Sequence, residues 1–520
     1  MIRDFASFDG AEAIACDLCI AGAGAAGITM ALEFAGRGER VVLLESGGLE
    51  FEETTQALYA GGNLGRPYFD LDLARARIFG GSTTHWGGMC TRLDPIDFAK
   101  RDWVPHSGWP ITPADLDPYY ARAHPVLELG EYDYERAEIA PAGTEFLPFR
   151  EDRIRPKMWR YSMPPTDFGQ AYRPQLARAA NVDVLLHANL VEIETGDDAG
   201  QVTAFRIATL EGKSARVRAK SYVLALGGIE NARLLLNSDR AIPAGLGNQN
   251  DLVGRFFMEH IGIIAATVLD LEGNGWQHSY DDLFDGDRQV RCGLTPSFEM
   301  QEQKRILNPM LMFGQRTVAR TNSEGYRSLA EIRKQIARGE LPGDLGHHLY
   351  NMIIDVDGLV RGMYEKVDST VYIGMEAEQS PNPDSRVVLG TERDPLGLRR
   401  ANLDWRLSAL DKRSVRTLLE LTGQELGRMG LGRLQMEEWI AQDDNVWSDD
   451  IQGHYHHMGT TRMASDPSQG VVDANCQVFG TANLHIAGSS VFVTGGCANP
   501  TLSLTALALR LADRLKMLLA

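Results

Sequence analysis

The sequence GAGAAG at residues 22–27 decides the fold of this chain. It follows an apolar run at 16–21 that predicts a short buried strand, and it leads into a helical pattern over 28–35. A second predicted strand, 41–44, ends at Glu45. This arrangement is typical of dinucleotide-binding units, because the glycines let a pyrophosphate approach the helix N-terminus. Glu45 would accept hydrogen bonds from ribose hydroxyls, but the motif alone does not separate NAD from FAD.

The remaining hydrophobic patterns predict a mixed α/β chain. Residues 221–226 form a predicted strand that ends at Gly227, before a helix over 229–237, so the chain returns to the nucleotide-binding sheet. The other predicted elements are two strands joined by a short turn within 182–194, an antiparallel pair within 202–218, strands at 371–373, 386–389 and 402–405, helices at 328–338 and 415–429, and an extended crossing over 102–120.

Composition excludes several functional classes. The chain has 520 residues, 44% of them hydrophobic, and a net charge of −18, which argues against nucleic acid and anionic membranes as partners. It contains no run approaching the roughly 18 apolar residues of a membrane-spanning helix. Residues 1–10 lack the apolar core of a signal peptide, which favours the cytoplasm. Cys16 and Cys19 lie within a predicted strand, where core thiols are expected rather than a redox or zinc pair.

A second glycine-rich stretch, GGSTTHWGG at residues 80–88, is a poor strand and a poor helix. Its paired glycines free the backbone to approach a ligand, and its hydroxyls and ring nitrogens add hydrogen-bonding groups. We therefore expect a loop that wraps around a flat polar ligand.

The C-terminal segment contains most of the candidate catalytic residues. HYHHMGTTRM at 454–463 places three imidazoles beside a Gly-Thr turn. Asn499, Pro500 and Thr501 then precede an apolar-striped helix over 502–519, an order typical of a helix N-terminus. Free amides and the positive end of the helix dipole suit a group that becomes anionic. A histidine, with an ordinary pKa of about 6.5, suits removal of a hydroxyl proton at neutral pH.

The ordered set GAGAAG, GGSTTHWGG, HHMGTTRM and NPT resembles the glucose–methanol–choline (GMC) flavin oxidoreductases over nearly the whole chain. In detail the chain is similar to the branch of pyranose 2-oxidase, fructose and glucose dehydrogenases, and glycoside 3-dehydrogenases or 3-oxidases. The resemblance implies an α/β fold, with a Rossmann-like FAD-binding domain interleaved with an α+β substrate-binding domain built on an antiparallel sheet. The implied boundaries are 12–105, 180–260 and 450–520 for the FAD domain, and 106–179 and 261–449 for the substrate domain.

The resemblance also implies FAD rather than NAD, and an alcohol oxidation in which a histidine takes the hydroxyl proton while hydride passes to the flavin. His456 is the implied base, with His454 and His457 as rivals. Asn499 would orient the substrate oxygen, and no metal is required. The residues implied to bind FAD are Gly22, Gly24, Ala25, Ala26, Gly27, Glu45, Ser46, Gly81, Ser82, Thr84, His85, Trp86, Gly87, Gly88, Leu190, Val191, Gly227, Gly488, Ser489, Asn499, Pro500 and Thr501.

The residues around His85 resemble the stretch through which pyranose 2-oxidase binds FAD covalently. Related dehydrogenases keep such a histidine without the bond, so a covalent link to His85 is open but not favoured. The chain departs from the family where Gly488 and Ser489 stand in place of a frequent aspartate. It also lacks a cysteine-rich cluster loop, so electrons must leave the flavin directly.

The resemblance favours oxidation of a secondary ring hydroxyl of a sugar or glycoside to a ketone. The alternatives are an oxidase or dehydrogenase of an aromatic or aliphatic alcohol, and a non-redox lyase that retains FAD. The expected partners are a small alcohol or glycoside and an electron acceptor, which would be O2, a quinone or a cytochrome. Some relatives add a signal-bearing small subunit, which would carry the chain to the periplasm.

Overall fold

The computed structural model describes residues 1–7, 13–135, 139–269, 276–286, 288–315, 345–364 and 371–520, with a few positions between 323 and 333. No helix in these parts of the chain is both long and apolar enough to cross a bilayer. Most buried apolar side chains of the sheets and of the C-terminal helix join one continuous core, and Trp159, Met310 and Cys497 form a separate small cluster.

The GAGAAG turn lies at the carboxyl edge of a parallel sheet. Within the described residues, its six strands run in the order Ile2–Asp4, Val182–Leu186, Val41–Leu44, Leu18–Ala21, Ser221–Leu224 and Leu484–Ile486. The three strands nearest the turn are buried at every position, as expected for a sheet covered on both faces. Parallel pairing brings the residues that follow these three strands and the strand Leu484–Ile486 to one edge, namely Gly22, Glu45, Gly227 and Gly488.

Helices and a smaller sheet pack around the parallel sheet. Ala25–Phe34 contacts the C-terminal helix Pro500–Leu519, which in turn contacts Pro113–Val126. Gly227–Asn237 contacts the last strand of the smaller sheet. The described strands of that sheet run in the order Ala13–Ala15, Ser214–Arg218, Val202–Ala208 and Asn189–Thr195.

A large antiparallel sheet carries the middle of the chain. Its described strands run in the order Arg433–Met436, His260–Leu269, Val371–Glu378, Met310–Gln315, Arg288–Pro296, Ile154–Tyr161 and Met89–Cys90, with Gln452–Gly453 beside His260–Leu269 and Leu283–Asp285 beside Arg288–Pro296. Gly262 pairs with both Glu376 and Gln452. This register brings the segment with three histidines, which begins at His454, against the strands that carry His260 and Glu376.

The remaining elements connect these layers. Arg386–Arg393 and Arg399–Asp404 form a separate antiparallel ribbon against the helix Gly227–Asn237, and Ala409–Met429 packs on Val371–Glu378. Shorter helices in the described residues are Glu53–Gln56, Pro95–Phe98, Phe168–Ala171, Arg173–Arg178, Phe298–Lys304, Leu345–Ile354, Val356–Tyr364 and Glu438–Ala441, with 3₁₀ turns at Ala57–Tyr59, Gly81–Thr84, Trp276–Tyr280 and Ser489–Val491.

Most predicted strands and helices are confirmed, with ends shifted by a few residues. The extended crossing predicted at 102–120 is wrong in its second half, where the helix Pro113–Val126 begins. Thr112 and Asp115 form a capping box there, and a proline occupies the first helical position, so local hydrogen bonds start a helix in a proline-rich stretch. The helix predicted at 328–338 lies largely outside the described residues.

The division into two domains stays a prediction. The helix Pro113–Val126, which that division places in the substrate domain, packs on the C-terminal helix Pro500–Leu519 of the predicted FAD domain.

Candidate active site

The nucleotide turn (residues 22–27) requires glycine at two positions. Gly22 has φ +103°, and a Cβ there would lie 2.4 Å from the carbonyl oxygen of Ala225. A Cβ on Gly27 would lie 1.9 Å from the carbonyl oxygen of Gly22. Gly24 is the N-cap of the helix that follows, so the first-turn amides of that helix have no partner within it.

Glu45 follows the strand Val41–Leu44 and is hydrogen-bonded to the nucleotide turn. Its buried carboxylate accepts hydrogen bonds from the backbone amides of Ala23 (3.0 Å) and Gly47 (2.8 Å). Burial raises the pKa of Glu45, while the amides and Arg77 lower it. The carboxylate is therefore fixed at the position that accepts ribose hydroxyls in dinucleotide-binding folds.

A cavity opens beside the nucleotide turn. Gly22, Ser46 and Leu190 line it, together with the guanidinium of Arg77. Arg77 is nine-tenths buried, with Nη1 3.8 Å from Glu230, and its Nε and Nη1 atoms have no hydrogen-bond partner among the described residues. A glycine cradle, a helix N-terminus and a buried cation with free N–H groups together fit the adenosine and phosphate groups of a dinucleotide.

The glycine-rich loop at 80–88 is docked on the nucleotide turn. The backbone N–H of Gly80 donates to the carbonyl oxygen of Ala23 at 2.9 Å. A Cβ on Gly81 would lie 3.0 Å from the Cα atom of Gly24. The two glycine-rich motifs therefore form one continuous surface.

Within this loop, Gly81–Thr84 form a single 3₁₀ turn. Trp86 is anchored by its indole N–H, which donates to the carbonyl oxygen of Thr166 at 3.0 Å. Nδ1 of His85 lies 3.1 Å from the hydroxyl of Thr84. Among the predicted loop residues, Ser82, His85 and Gly87 are exposed, Gly81, Thr84 and Trp86 are half-buried, and Gly88 is buried.

Gly227 and Gly488 leave open space at the carboxyl edge of the parallel sheet. They have φ +85° and +116°, and a Cβ on either would meet no heavy atom of the described residues within 4 Å. The hydroxyl of buried Ser489 donates to the carbonyl oxygen of His457 at 2.7 Å, which links this edge to the histidines. Of the other predicted cofactor residues, Ala26, Val191 and Pro500 are buried, and Ala25 and Thr501 are half-buried.

His456 lies in a histidine cluster formed by His260, His454, His456 and His457. Its Nδ1 atom lies 2.8 Å from Nδ1 of His260, and the two rings meet edge to face. Nε2 of His260 lies 2.8 Å from the carbonyl oxygen of Gly496. Burial, and then electrostatic interaction with the other three histidines, lower the pKa of His456 well below that of an ordinary histidine. His456 is therefore uncharged at neutral pH.

Asn499 is the N-cap of the C-terminal helix and is 7% exposed. Its Oδ1 atom accepts a hydrogen bond from the indole N–H of Trp159 at 2.9 Å. Its Nδ2 atom donates to Oε2 of Glu376 over 3.4 Å. The other oxygen of Glu376 lies 3.6 Å from Nδ1 of His454, so Asn499 and the histidine cluster share a neighbour.

Glu259 holds the backbone of the cluster. Its Oε2 atom accepts from the backbone amides of His260 (3.1 Å), His454 (3.1 Å) and His456 (2.9 Å), and its Oε1 atom accepts from the hydroxyl of Tyr68. Burial raises the pKa of Glu259 to about 7, while the bonds from Tyr68 and His456 lower it. One carboxylate thus fixes the strand that bears His260 against the segment that bears His456.

The two rival histidines differ in their surroundings. His457 is buried with Nε2 2.9 Å from the hydroxyl of Tyr68, and burial lowers its pKa to about 3. The side chain of His454 is about one third exposed and faces Glu376. The ring of His457 is therefore already hydrogen-bonded, whereas His454 shares Glu376 with Asn499 and His456 contacts His260.

Comparison with known proteins decides the family. Residues 17–243 match the family model described as FAD dependent oxidoreductase, and residues 381–508 match the one described as GMC oxidoreductase. The chain belongs to the GMC oxidoreductase family. It is an FAD-dependent enzyme that acts on CH–OH groups.

Relatives of this GMC chain oxidise hydroxyl compounds, as their names state. It is 27% identical over 554 residues to 6'''-hydroxyparomomycin C oxidase of Streptomyces lividus, which covers 95% of this chain and 90% of that protein. The fructose dehydrogenase large subunit of Gluconobacter japonicus is 23% identical over 488 residues, covering 84% and 79%. The solved structure of pyridoxine 4-oxidase from Mesorbium loti, 17% identical, has the same fold, with a TM-score of 0.56 over 96% of this chain and 99% of that one.

Sequence reasoning did not find four residues beside the site of this GMC oxidoreductase: Trp159, Glu259, His260 and Glu376. Glu259 and His260 form an acid–imidazole pair at the start of an apolar strand, which is an unusual pair to bury and was a usable signal. Glu376 is likewise an acid within a strand that is mostly buried. No group of metal-ligating side chains occurs within the described residues.

Proposed function

We propose that this GMC oxidoreductase oxidises a secondary ring hydroxyl of a sugar or glycoside to a ketone, with His456 as the base and Asn499 as the residue that orients the substrate oxygen. One observation carries the proposal: the half-buried, uncharged imidazole of His456 lies in the histidine cluster, and that cluster shares Glu376 with the amide of Asn499 at the N-terminus of the C-terminal helix.

His456 supplies the proton acceptor. Removal of a hydride from a neutral alcohol is difficult, and it becomes easier as the hydroxyl proton leaves. Because burial keeps the pKa of His456 low, the ring can accept that proton at neutral pH. A positioned general base typically contributes about 10²–10⁴-fold to a rate.

Asn499 supplies a donor to the same oxygen. An indole N–H only donates, so the atom of Asn499 that faces Trp159 is the amide oxygen. The amide nitrogen therefore lies on the side of Glu376 and keeps a second N–H for the substrate oxygen. A neutral donor stabilises developing negative charge without holding the alkoxide as tightly as a cation would.

The nucleotide turn, Glu45 and the docked loop at 80–88 would hold FAD, with Asn499 and Pro500 at its reactive end. When bound, FAD supplies the hydride acceptor of the reaction. The helix that begins at Pro500 presents free amides and a partial positive charge, which favour negative charge that develops at the site.

The substrate class is supported by the relatives and by the resemblance of motifs. One relative is named for 6'''-hydroxyparomomycin C and another for fructose, and both compounds carry sugar hydroxyls. We extend this class to the present chain and place the reaction at a ring hydroxyl.

Anaerobic mixing of the FAD-loaded protein with methyl glycosides, free sugars and simple alcohols tests the proposal. We expect sugars or glycosides to bleach the flavin and to yield a keto-sugar. Aldehyde products, or bleaching by aromatic or aliphatic alcohols alone, would contradict the assigned substrate. No bleaching by any alcohol would indicate a non-redox lyase. Admitting air afterwards separates an oxidase from a dehydrogenase that needs a quinone or a cytochrome.

A further inference from the structure

We propose that His260 is a positioning residue that decides which nitrogen of His456 is free to accept the substrate proton. This inference rests on the proposed function, because it takes His456 as the base. It concerns the contact between the Nδ1 atoms of the two rings, 2.8 Å apart, and the contact between Nε2 of His260 and Gly496.

The carbonyl oxygen of Gly496 fixes the tautomer of His260. A carbonyl only accepts hydrogen bonds, so the atom 2.8 Å from it, Nε2 of His260, must carry a hydrogen. In a neutral imidazole the other nitrogen is then an acceptor. Nδ1 of His260 therefore offers a lone pair to His456.

This lone pair in turn fixes the tautomer of His456. The contact of 2.8 Å between the two Nδ1 atoms needs one hydrogen, and it must come from His456, since His260 has none there. Nδ1 of His456 is therefore protonated, and its Nε2 carries the free lone pair. The base thus presents Nε2 to the substrate hydroxyl.

The arrangement requires a neutral His260, and its surroundings provide one. His260 is fully buried, and burial lowers its pKa, although Glu376 and the bond to Gly496 act in the opposite direction. If His260 were protonated at both nitrogens, its Nδ1 would donate to His456, and the hydrogen of His456 would move to Nε2 and block the base.

The pair also suits the protonated state of the base. The substrate hydroxyl proton adds to Nε2 of His456 while Nδ1 keeps its hydrogen, so the resulting imidazolium still donates to the neutral ring of His260. That bond becomes charge-assisted and therefore stronger after proton transfer. His260 is thus expected to stabilise the product of proton transfer more than the starting state.

Two substitutions of His260 separate this role from simple packing. In His260→Asn the side-chain oxygen falls near the position of Nδ1 and can still accept from His456. In His260→Gln the amide falls near the position of Nε2, so the bond to Gly496 can form while the acceptor for His456 is lost. Both variants replace the imidazole by a smaller amide, which makes them matched controls for each other.

The measurement is the anaerobic rate of flavin reduction by the sugar found in the panel, across substrate concentrations, in holoenzymes of equal FAD content. We expect His260→Gln to lower the limiting rate by about 10²-fold, as for loss of the correct tautomer of a base, with the half-saturating concentration changed less than about threefold. His260→Asn should retain a rate within about fivefold of the wild type. Equal rates in the two variants, both fast or both slow, would overturn the role of His260.

The variant His456→Ala, measured in parallel, separates this inference from the function on which it rests. If flavin reduction is slow in His456→Ala but fast in His260→Gln, only the proposed role of His260 is contradicted. If flavin reduction is fast in His456→Ala, then His456 is not the base, and the role proposed for His260 is contradicted as well.

Discussion

The nucleotide turn and the histidine cluster are built by opposite means. The turn is one contiguous motif, and its shape is enforced by backbone contacts such as that of Gly27 with Gly22. The cluster is assembled from single side chains of distant segments: His260 and His456 are 196 residues apart, and Trp159 and Asn499 are 340 residues apart.

This difference predicts how the two regions respond to substitution. Changes in the nucleotide turn should alter how well FAD binds while leaving the chemistry of bound enzyme intact. Changes in the cluster should alter the rate of flavin reduction while FAD remains bound.

Gly27→Ala should have the largest effect on cofactor binding. Its Cβ would lie 1.9 Å from the carbonyl oxygen of Gly22, so the backbone must shift. Strain of about 1–3 kcal/mol corresponds to about 5- to 150-fold weaker binding of FAD. Titration of the apoprotein with FAD measures the change. The matched control is Gly38→Ala, where a Cβ would meet no heavy atom of the described residues within 4 Å. Wild-type affinity in Gly27→Ala would contradict the assignment of the turn.

Trp159→Phe should act on rate rather than on cofactor binding. It removes the N–H that holds the amide oxygen of Asn499, so the amide can rotate away from its productive orientation. We expect flavin reduction to slow by about 10-fold, equivalent to about 1.4 kcal/mol, with FAD content unchanged. Trp447→Phe is the control, because it removes the same kind of bond, from an indole N–H to the amide oxygen of Asn445, elsewhere in the chain. Equal rates of flavin reduction in the two variants would show that the bond from Trp159 to Asn499 does not affect catalysis.

The pH dependence of flavin reduction should show the depressed pKa of His456. Burial and the neighbouring histidines hold this pKa well below the ordinary value, so the base stays unprotonated as the pH falls below 6.5. The limiting rate should therefore remain near its plateau at pH 6 and fall only as the pH passes through the lowered pKa. Stopped-flow measurements between pH 5 and 8 test this. A loss of rate centred at or above pH 6.5 would place the base in a different environment.

His85 should have the smallest effect on cofactor retention. Its side chain is exposed and contacts the hydroxyl of Thr84, and we expect FAD to be held without a covalent bond. Acid precipitation should then leave the yellow colour in the supernatant, for the wild type and for His85→Ala alike. Colour that stays with the wild-type precipitate and is released only in the variant would show a covalent link.

The sequence predicts the nucleotide turn well because the glycine spacing, the strands beside it and Glu45 lie within one short stretch. It also predicts the C-terminal helix, since a periodic apolar pattern marks it, whereas the role of His456 stays a prediction. It does not predict that His260 lies beside His456 or that Glu376 lies beside His454, because His260 and Glu376 belong to antiparallel strands whose register is set by packing over the whole sheet. The helix Pro113–Val126 was missed for a local reason, since its capping box lies within a proline-rich stretch.

The central claim is that His456 takes the hydroxyl proton of the substrate. Its most direct test is the anaerobic rate of flavin reduction by a saturating substrate in the wild type and in His456→Ala, with FAD content measured in both. The predicted result is an unchanged FAD content and a rate lower by at least about 10²-fold. A rate in His456→Ala equal to that of the wild type would contradict the claim and would transfer the role to His454 or His457.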